Sequence, residues 1–375
     1  MKRKFRIIVG MLLLAIPLCV NAQIKIAKPG QNSKEAKEEK TEQEKTEKPK
    51  DGLTMPKISG FVQGMYQANL SDKGDLLDNT LRMRRVRLSV DGNLSKTVSY
   101  KIQGDFTRSP MLVDAYVKYK PCREFAIQVG QFKTPFTLES PINPVNLEIF
   151  DYGESVKGLT GYSDVCGVGS LGRDLGIMAT GSLFPVEGEE GYKYSIVDYS
   201  IGVFNGNGAN QLDNNNRKDI VGRLEVHPGL KDLTLSGSYY YGRYNKDEVH
   251  YGIRNRWTAG MQYNDGKFLL RGEYISGATG IKTYHPEDLG YFNSNGYYGV
   301  IGYNFQAGEQ KIMPVLRYEH FTKDASIAKG GTNWYTVGIN YWPLKSVNFK
   351  LDYSLVQKEA GENSHRVVAI LSYKF

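Results

Sequence analysis

Two runs, FAIQVGQFKTPF at 125–136 and RDLGIMATGSLF at 173–184, enclose a stretch from Thr137 to Leu171 with neither helical nor strand periodicity. Roughly three dozen such residues inside a regular fold are functional or disordered. If the two runs are neighbouring strands of a large closed barrel, the insert between them can fold inward and narrow the opening. The fold therefore turns on whether the rest of the chain alternates as these runs do.

It does, from Lys57 to the last residue. Val86, Leu88 and Val90 fall on one face of a run near 80–92, with Arg85, Arg87, Ser89 and Asp91 on the other. Val98, Tyr100, Ile102, Gly104 and Phe106 likewise oppose Ser99, Lys101, Gln103, Asp105 and Thr107. Period-2 alternation of this kind marks strands with one apolar and one polar face. The pattern recurs to give sixteen runs; the one at 296–305 is ambiguous in phase. Short connections (121–124, 228–232, 265–266, 343–346) alternate with long polar ones (206–218, 277–295, 322–332). Outer-membrane barrels sort their loops this way, with short periplasmic turns and long outer loops.

The apolar faces are rich in Tyr and Gly, and aromatics such as Tyr239, Trp257, Tyr274, Tyr335, Tyr341, Trp342 and Tyr353 sit near strand ends, as girdles at two membrane interfaces would. After Ala22 no apolar segment approaches the roughly 18 residues of a spanning helix. The expected fold is an all-β transmembrane antiparallel barrel of sixteen strands. The final run, HRVVAILSYKF, ends in alternating apolar residues with Tyr373 and Phe375 on one face, resembling the signal read by the barrel assembly machinery.

The chain opens MKRKFRIIVGMLLLAIPLCVNAQ, basic residues followed by an apolar run and a small-residue cleavage site after Ala22, which reads as a secretory signal peptide over 1–22. Its removal takes four positive charges, so the formal +8 becomes 8 − 4 = +4, too weak a balance to argue for nucleic acid. The segment 23–56 reads as a periplasmic tail: QNSKEAKEEKTEQEKTEKPK at 31–50 buries too little apolar surface to offset its ordering entropy. The barrel then spans 57–375. Cys122 and Cys166 remain after export, and a disulfide between them is one expectation, two free thiols the other. No GxSxG element or Ser and His pairing appears, so no catalytic residues are assigned, and neither a cofactor nor a metal is expected.

The runs RRVRLSVDG (84–92), DAYVKYKP (114–121), VGQFKTPF (129–136), GRDLGIMATG (172–181), VFNGNG (203–208), GRLEVHP (222–228) and RGEYI (271–275) together resemble the phosphate-selective porin O and P family. That resemblance implies a passive channel in the outer membrane of a Gram-negative bacterium. It also implies a homotrimer surrounded by lipid and lipopolysaccharide, and a third outer loop, here Thr137 to Leu171, that constricts the pore. In the family a ladder of arginines leads anions to a basic ring on that loop.

Basic residues of inward parity are Arg85, Arg87, Lys101, Lys118, Lys120, Arg223, Arg256, Arg271, Arg317 and Lys350. Rows of such groups lower the barrier for an anion. The same parity carries Asp91, Asp105, Asp114, Asp198, Glu225, Glu273, Glu319 and Asp352, so cross-strand ion pairs are the competing reading. The insert departs from the family pattern: Glu139, Glu148, Asp151, Glu154 and Asp164 face a single base, Lys157, before Arg173. A phosphate site wants several convergent Arg or Lys donors. The expectation is therefore a porin for small solutes, anions such as phosphate among them. A general or oligosaccharide-type porin and a structural or adhesive barrel are the alternatives.

Overall fold

In this computed structural model the described residues are 52–188, 191–245, 251–280 and 291–375. The signal peptide and the 31–50 tail lie outside them. The first strand begins at Lys57, where the alternation begins.

Sixteen strands form one antiparallel sheet. They are β1 (Lys57–Ser71), β2 (Leu76–Asn93), β3 (Val98–Asp105), β4 (Leu112–Tyr119), β5 (Ala126–Lys133), β6 (Arg173–Gly188), β7 (Gly191–Phe204) and β8 (Asp219–Val226). β9 (Leu233–Tyr241) continues past Gly242 as Arg243–Asn245, and β10 (Tyr251–Asn264) and β11 (Phe268–Gly280) follow. β12 (Tyr291–Tyr303) continues past Asn304 as Phe305–Ala307. The remainder are β13 (Gln310–Thr322), β14 (Gly331–Leu344), β15 (Val347–Lys358) and β16 (Ser364–Lys374). Each strand pairs with the next, and β1 pairs with β16 from Phe61 opposite Lys374 to Ser71 opposite Ser364, which closes the barrel. Closure removes the unpaired edges that hydrocarbon cannot satisfy.

Alternation sets the two faces. Leu224, Tyr239, Trp257, Leu270, Tyr297, Leu316, Val337 and Tyr353 are exposed on the outside, while Arg256, Arg271, Glu273, Arg317 and Lys350 are buried on the inside. On four strands two outward aromatics fall six residues apart: Trp257 and Tyr263, Phe268 and Tyr274, Tyr297 and Tyr303, Tyr335 and Tyr341. At about 3.4 Å per residue the two rows are separated by roughly 20 Å along a strand. Trp342, expected in this girdle, is instead on the inner face against the buried apolar cluster, with the Lys311 ammonium 3.9 Å from its ring.

The C-terminal Phe375 returns to the first strand, its carbonyl accepting from Gly60 N and its own N–H donating to Gly60 O, both at 3.0 Å. A Cβ at Gly60 would meet the Phe375 ring at 2.6 Å, so only glycine lets the terminal ring seat there.

Candidate functional site

The insert between β5 and β6 carries a turn of 3-10 helix at Pro144–Asn146, capped by the Asn143 side chain, and one short helix, α1 (Glu154–Leu159). Glu154 and Lys157 pair at 2.8 Å across one turn of α1, and Gly158 and Gly161 end its helical run. What positions the insert is the inner wall.

All five of its carboxylates meet a cation. Glu139 is fully buried and forms a two-pronged pair with Arg317, and its Oε2 also accepts from Gly153 N at 2.9 Å. Glu148 pairs with Arg271, Asp164 with both terminal nitrogens of Arg256, and Asp151 with Arg84 at 2.7 Å and Arg85 at 3.6 Å. Glu154 meets Lys157 and, at 3.8 Å, Arg366. Wall acids in turn receive insert N–H groups: Leu138 N donates to Glu273, Phe150 N to Asp352 at 2.6 Å, and Ser155 N to Glu319 at 2.9 Å. Lysines close the set, Lys350 on the carbonyls of Leu147 and Ile149, and Lys133 on those of Ser140 and Ile142. Arg223 donates to Thr137 O at 3.0 Å.

Burial alone would neutralise the insert carboxyls, yet the adjacent guanidinium groups outweigh it. Arg317 and Arg271 hold Glu139 below the usual carboxylate range, Arg84 and Lys157 do so for Asp151, and Arg256 does so for Asp164. These three carboxyls are therefore ionised and paired at neutral pH.

Beneath these pairs lies an apolar cluster. Phe136, Leu147, Ile149, Tyr152, Val156 and Leu159 of the insert pack on Phe204, Val221, Tyr240, Leu269, Tyr298, Val300, Met313 and Val315 of the inner wall. This explains the ambiguous phase of the run at 296–305: with an inner face packed on the insert, β12 is apolar on both sides.

Of the residues expected to line an opening, Arg256, Arg271, Arg317 and Lys350 are buried beneath the insert, and Arg223 is half-buried beside it. Arg87 pairs with Asp105 at 2.8 Å on the neighbouring strand, and Arg173 with Asp114 at 2.7 Å. Lys101, Lys118 and Lys120 differ: no carboxylate stands within 4.0 Å of them among the described residues. Lys101 and Lys118 lie partly exposed on β3 and β4; Lys120 is one residue beyond β4 and exposed.

Arg84 is a contact that alternation misses. Gln63 pairs with Arg85 but Gly64 with Met83, so Arg84 is the extra residue of a β-bulge, and two consecutive arginines reach Asp151. The RRVR sequence alone carries no mark of the bulge.

The disulfide is not formed; both cysteines are free. Cys122 lies in the turn before β5 and Cys166 in the insert after it, so a strand of eight residues, about 27 Å at 3.4 Å per residue, separates the two ends. Burial pushes the Cys166 thiol up, with Asp164 adding to it. Among the described residues no three His, Cys, Asp or Glu side chains form a group that could hold a metal.

A closed sixteen-stranded wall with an apolar outer face, ringed by aromatics and carrying a long third outer connection, defines a porin of the Gram-negative outer membrane. Residues 57–269 match the family described as phosphate-selective porin O and P, and the chain belongs to that family. No curated protein matches the sequence. Among solved structures the chain is similar to the anion-selective porin from Comamonas acidovorans, with a TM-score of 0.64 and 14% identity over 86% of this chain and 99% of that one. A loop L8 deletion mutant of OmpT, an outer membrane protein of Vibrio cholerae, matches with a TM-score of 0.60 and 12% identity over 87% and 100%. The outer membrane channel DcaP of Acinetobacter baumannii gives 0.60 and 12% over 85% and 97%. At these identities the likeness is one of fold.

Proposed function

We propose that the chain forms a water-filled diffusion channel favouring small anions, phosphate among them, whose open path runs along the inner wall of β3 and β4. The insert folds into the lumen and narrows it from the other side. The observation that carries this reading is the pairing of the insert: each of its five acids meets a cation, so its negative charge is neutralised and does not face the path. Lys101, Lys118 and Lys120 have no carboxylate within 4.0 Å among the described residues, whereas Arg85 shares Asp151 with Arg84 and keeps its Nη1 buried without a hydrogen-bond partner. A wall richer in bases than in acids favours anion entry, and Asp91 on β2, directly opposite Lys101, tempers the row. It is weaker than a convergent phosphate cradle, so modest selectivity is expected. Single-channel recording of the refolded protein in a salt gradient tests it: a reversal potential of anion sign supports the reading, and a cation sign or no conductance refutes it.

The same reading takes the barrel as a homotrimer, as one Vibrio cholerae OmpT structure is described. β3, β4 and β5 have eight residues each, short of the roughly 9–11 that a tilted spanning strand needs. Their outer faces present Ile102, Val117 and Val129, with Phe106 and Tyr119 at the strand ends, whereas the upper aromatic row runs over β9 to β15. A low wall fits another copy of the chain better than lipid.

A further inference from the structure

The apolar cluster beneath the insert meets the lumen beside β4 and β5 at three partly exposed residues, Tyr116 of β4 and Ile142 and Tyr162 of the insert. Tyr116 faces inward in register with Lys101 on β3, and Lys118 follows two residues on along the same face of β4. Across β5 it stands opposite Gly130, at a φ of +134°, where a Cβ would come within 2.7 Å of the Tyr116 Cα. Glycine there leaves the flank of the ring clear. The ring is held from behind: Phe132 meets it edge-on at 6.0 Å between centroids, and Phe204 meets Phe132 at 5.6 Å. On the insert, the Tyr162 ring lies 4.6 Å from that of Tyr152, whose hydroxyl donates to Ile142 O. Lys133, at the end of β5, donates to the same carbonyl at 2.9 Å and keeps this part of the insert beside the wall.

Bases and an apolar surface thus share one stretch of the lumen. A hydrated inorganic anion gains from the bases alone, whereas an organic anion also gains by laying its apolar body on the rings. Asp91, opposite Lys101 on β2, works against a second negative charge at the same point. We propose that this stretch is a binding subsite for small monocarboxylates with a flat apolar body, aromatic carboxylates first among them. The carboxylate lies on Lys101 or Lys118 and the ring lies along Tyr116. Occupancy is brief, since a permeant solute has to leave as readily as it enters. The proposal deepens the anion-channel reading and rests on it.

Block of the chloride current through the refolded protein in planar bilayers at pH 7 tests it, with benzoate, acetate and inorganic phosphate added in turn. Benzoate and acetate carry the same charge and differ by the ring. In the wild type benzoate is expected to interrupt the current at a concentration about fivefold lower than acetate, the gain of one aromatic contact. It should also act below the concentration at which phosphate does. Tyr116→Ser is expected to bring the half-blocking concentrations of benzoate and acetate together. Ile142→Ser removes apolar surface from the insert side and takes the place of Tyr116→Ser should that variant not assemble. Equal block by benzoate and acetate in the wild type, block by phosphate at a lower concentration than benzoate, or an unchanged benzoate-to-acetate ratio in the variant would overturn the subsite. The reversal potential in a chloride gradient, taken on the same membranes, separates the two readings. An anion sign without a benzoate preference refutes the subsite alone, and a cation sign or no current refutes the anion channel and the subsite with it.

Discussion

Asp164 and Arg256 illustrate how a buried charge under the insert depends on its counter-ion. Both are buried, and removing either leaves the other charged and without its ion-pair partner. Breaking such a pair costs about 3–5 kcal/mol, while replacing both members with apolar groups is often neutral. Asp164→Asn and Arg256→Met should therefore each lower the thermal unfolding temperature clearly, and the double replacement Asp164→Leu with Arg256→Met should recover much of the loss. Additive losses in the double variant would contradict the pairing. The pH dependence follows from the same residues. Glu139, Asp151 and Asp164 titrate below the ordinary carboxylate range in the folded chain. Their stabilisation is therefore full above about pH 4, the unfolded value, and is lost as pH falls through the folded values. Single-channel step size should hold constant from pH 7 to pH 5 and change only below about pH 4; a change near pH 6 would assign control to other groups. At this scale alternation named the inward side of Arg85, Arg87, Arg256, Arg271, Arg317 and Lys350, because side-chain direction follows parity in a strand. It missed Arg84, because a bulge breaks parity without a residue type that announces it. It also gave no means of telling a paired arginine from a free lysine, since pairing is decided by the insert and not by the strand.

The insert, as an element, is fastened where its backbone comes closest to the wall. A Cβ at Gly153 would collide with the Arg317 guanidinium and, at 2.5 Å, with the Glu319 carboxylate, so glycine there lets the chain lie flat on the pair. Gly153→Leu is expected to lift the segment off β13, raising single-channel conductance while the heat resistance of the barrel falls. Unchanged conductance would mean that the insert does not bound the path. All sixteen strands were legible from period 2, and the insert from its lack of any period. The inner apolar cluster was not: Leu269, Val300, Met313 and Val315 face inward against the insert, and a sequence pattern cannot show that a lumen is partly dry. The acidity of the insert read as a departure from the family's basic ring. Its cause is the wall opposite, where arginines need counter-charges.

For the whole molecule, the wall is uneven. β11, β12 and β14 have 13 or 14 residues and carry both aromatic rows, while β3 to β5 have eight each. Val117→Arg on the outer face of β4 should convert the proposed trimer to monomers on a semi-native gel; a variant that remains trimeric would place the subunit contact elsewhere. Loop lengths told the periplasmic end from the outer end, because only one end of such a barrel has to be short. The unevenness of the wall could not be foreseen, since strand ends are the least certain part of any pattern. The central claim concerns the path itself, and the reversal potential of the double variant Lys101→Glu with Lys118→Glu, recorded beside the wild type in the same salt gradient, tests it most directly. The account predicts an anion sign for the wild type and a shift towards cation selectivity in the variant. A variant with the wild-type potential would show that ions do not pass along β3 and β4.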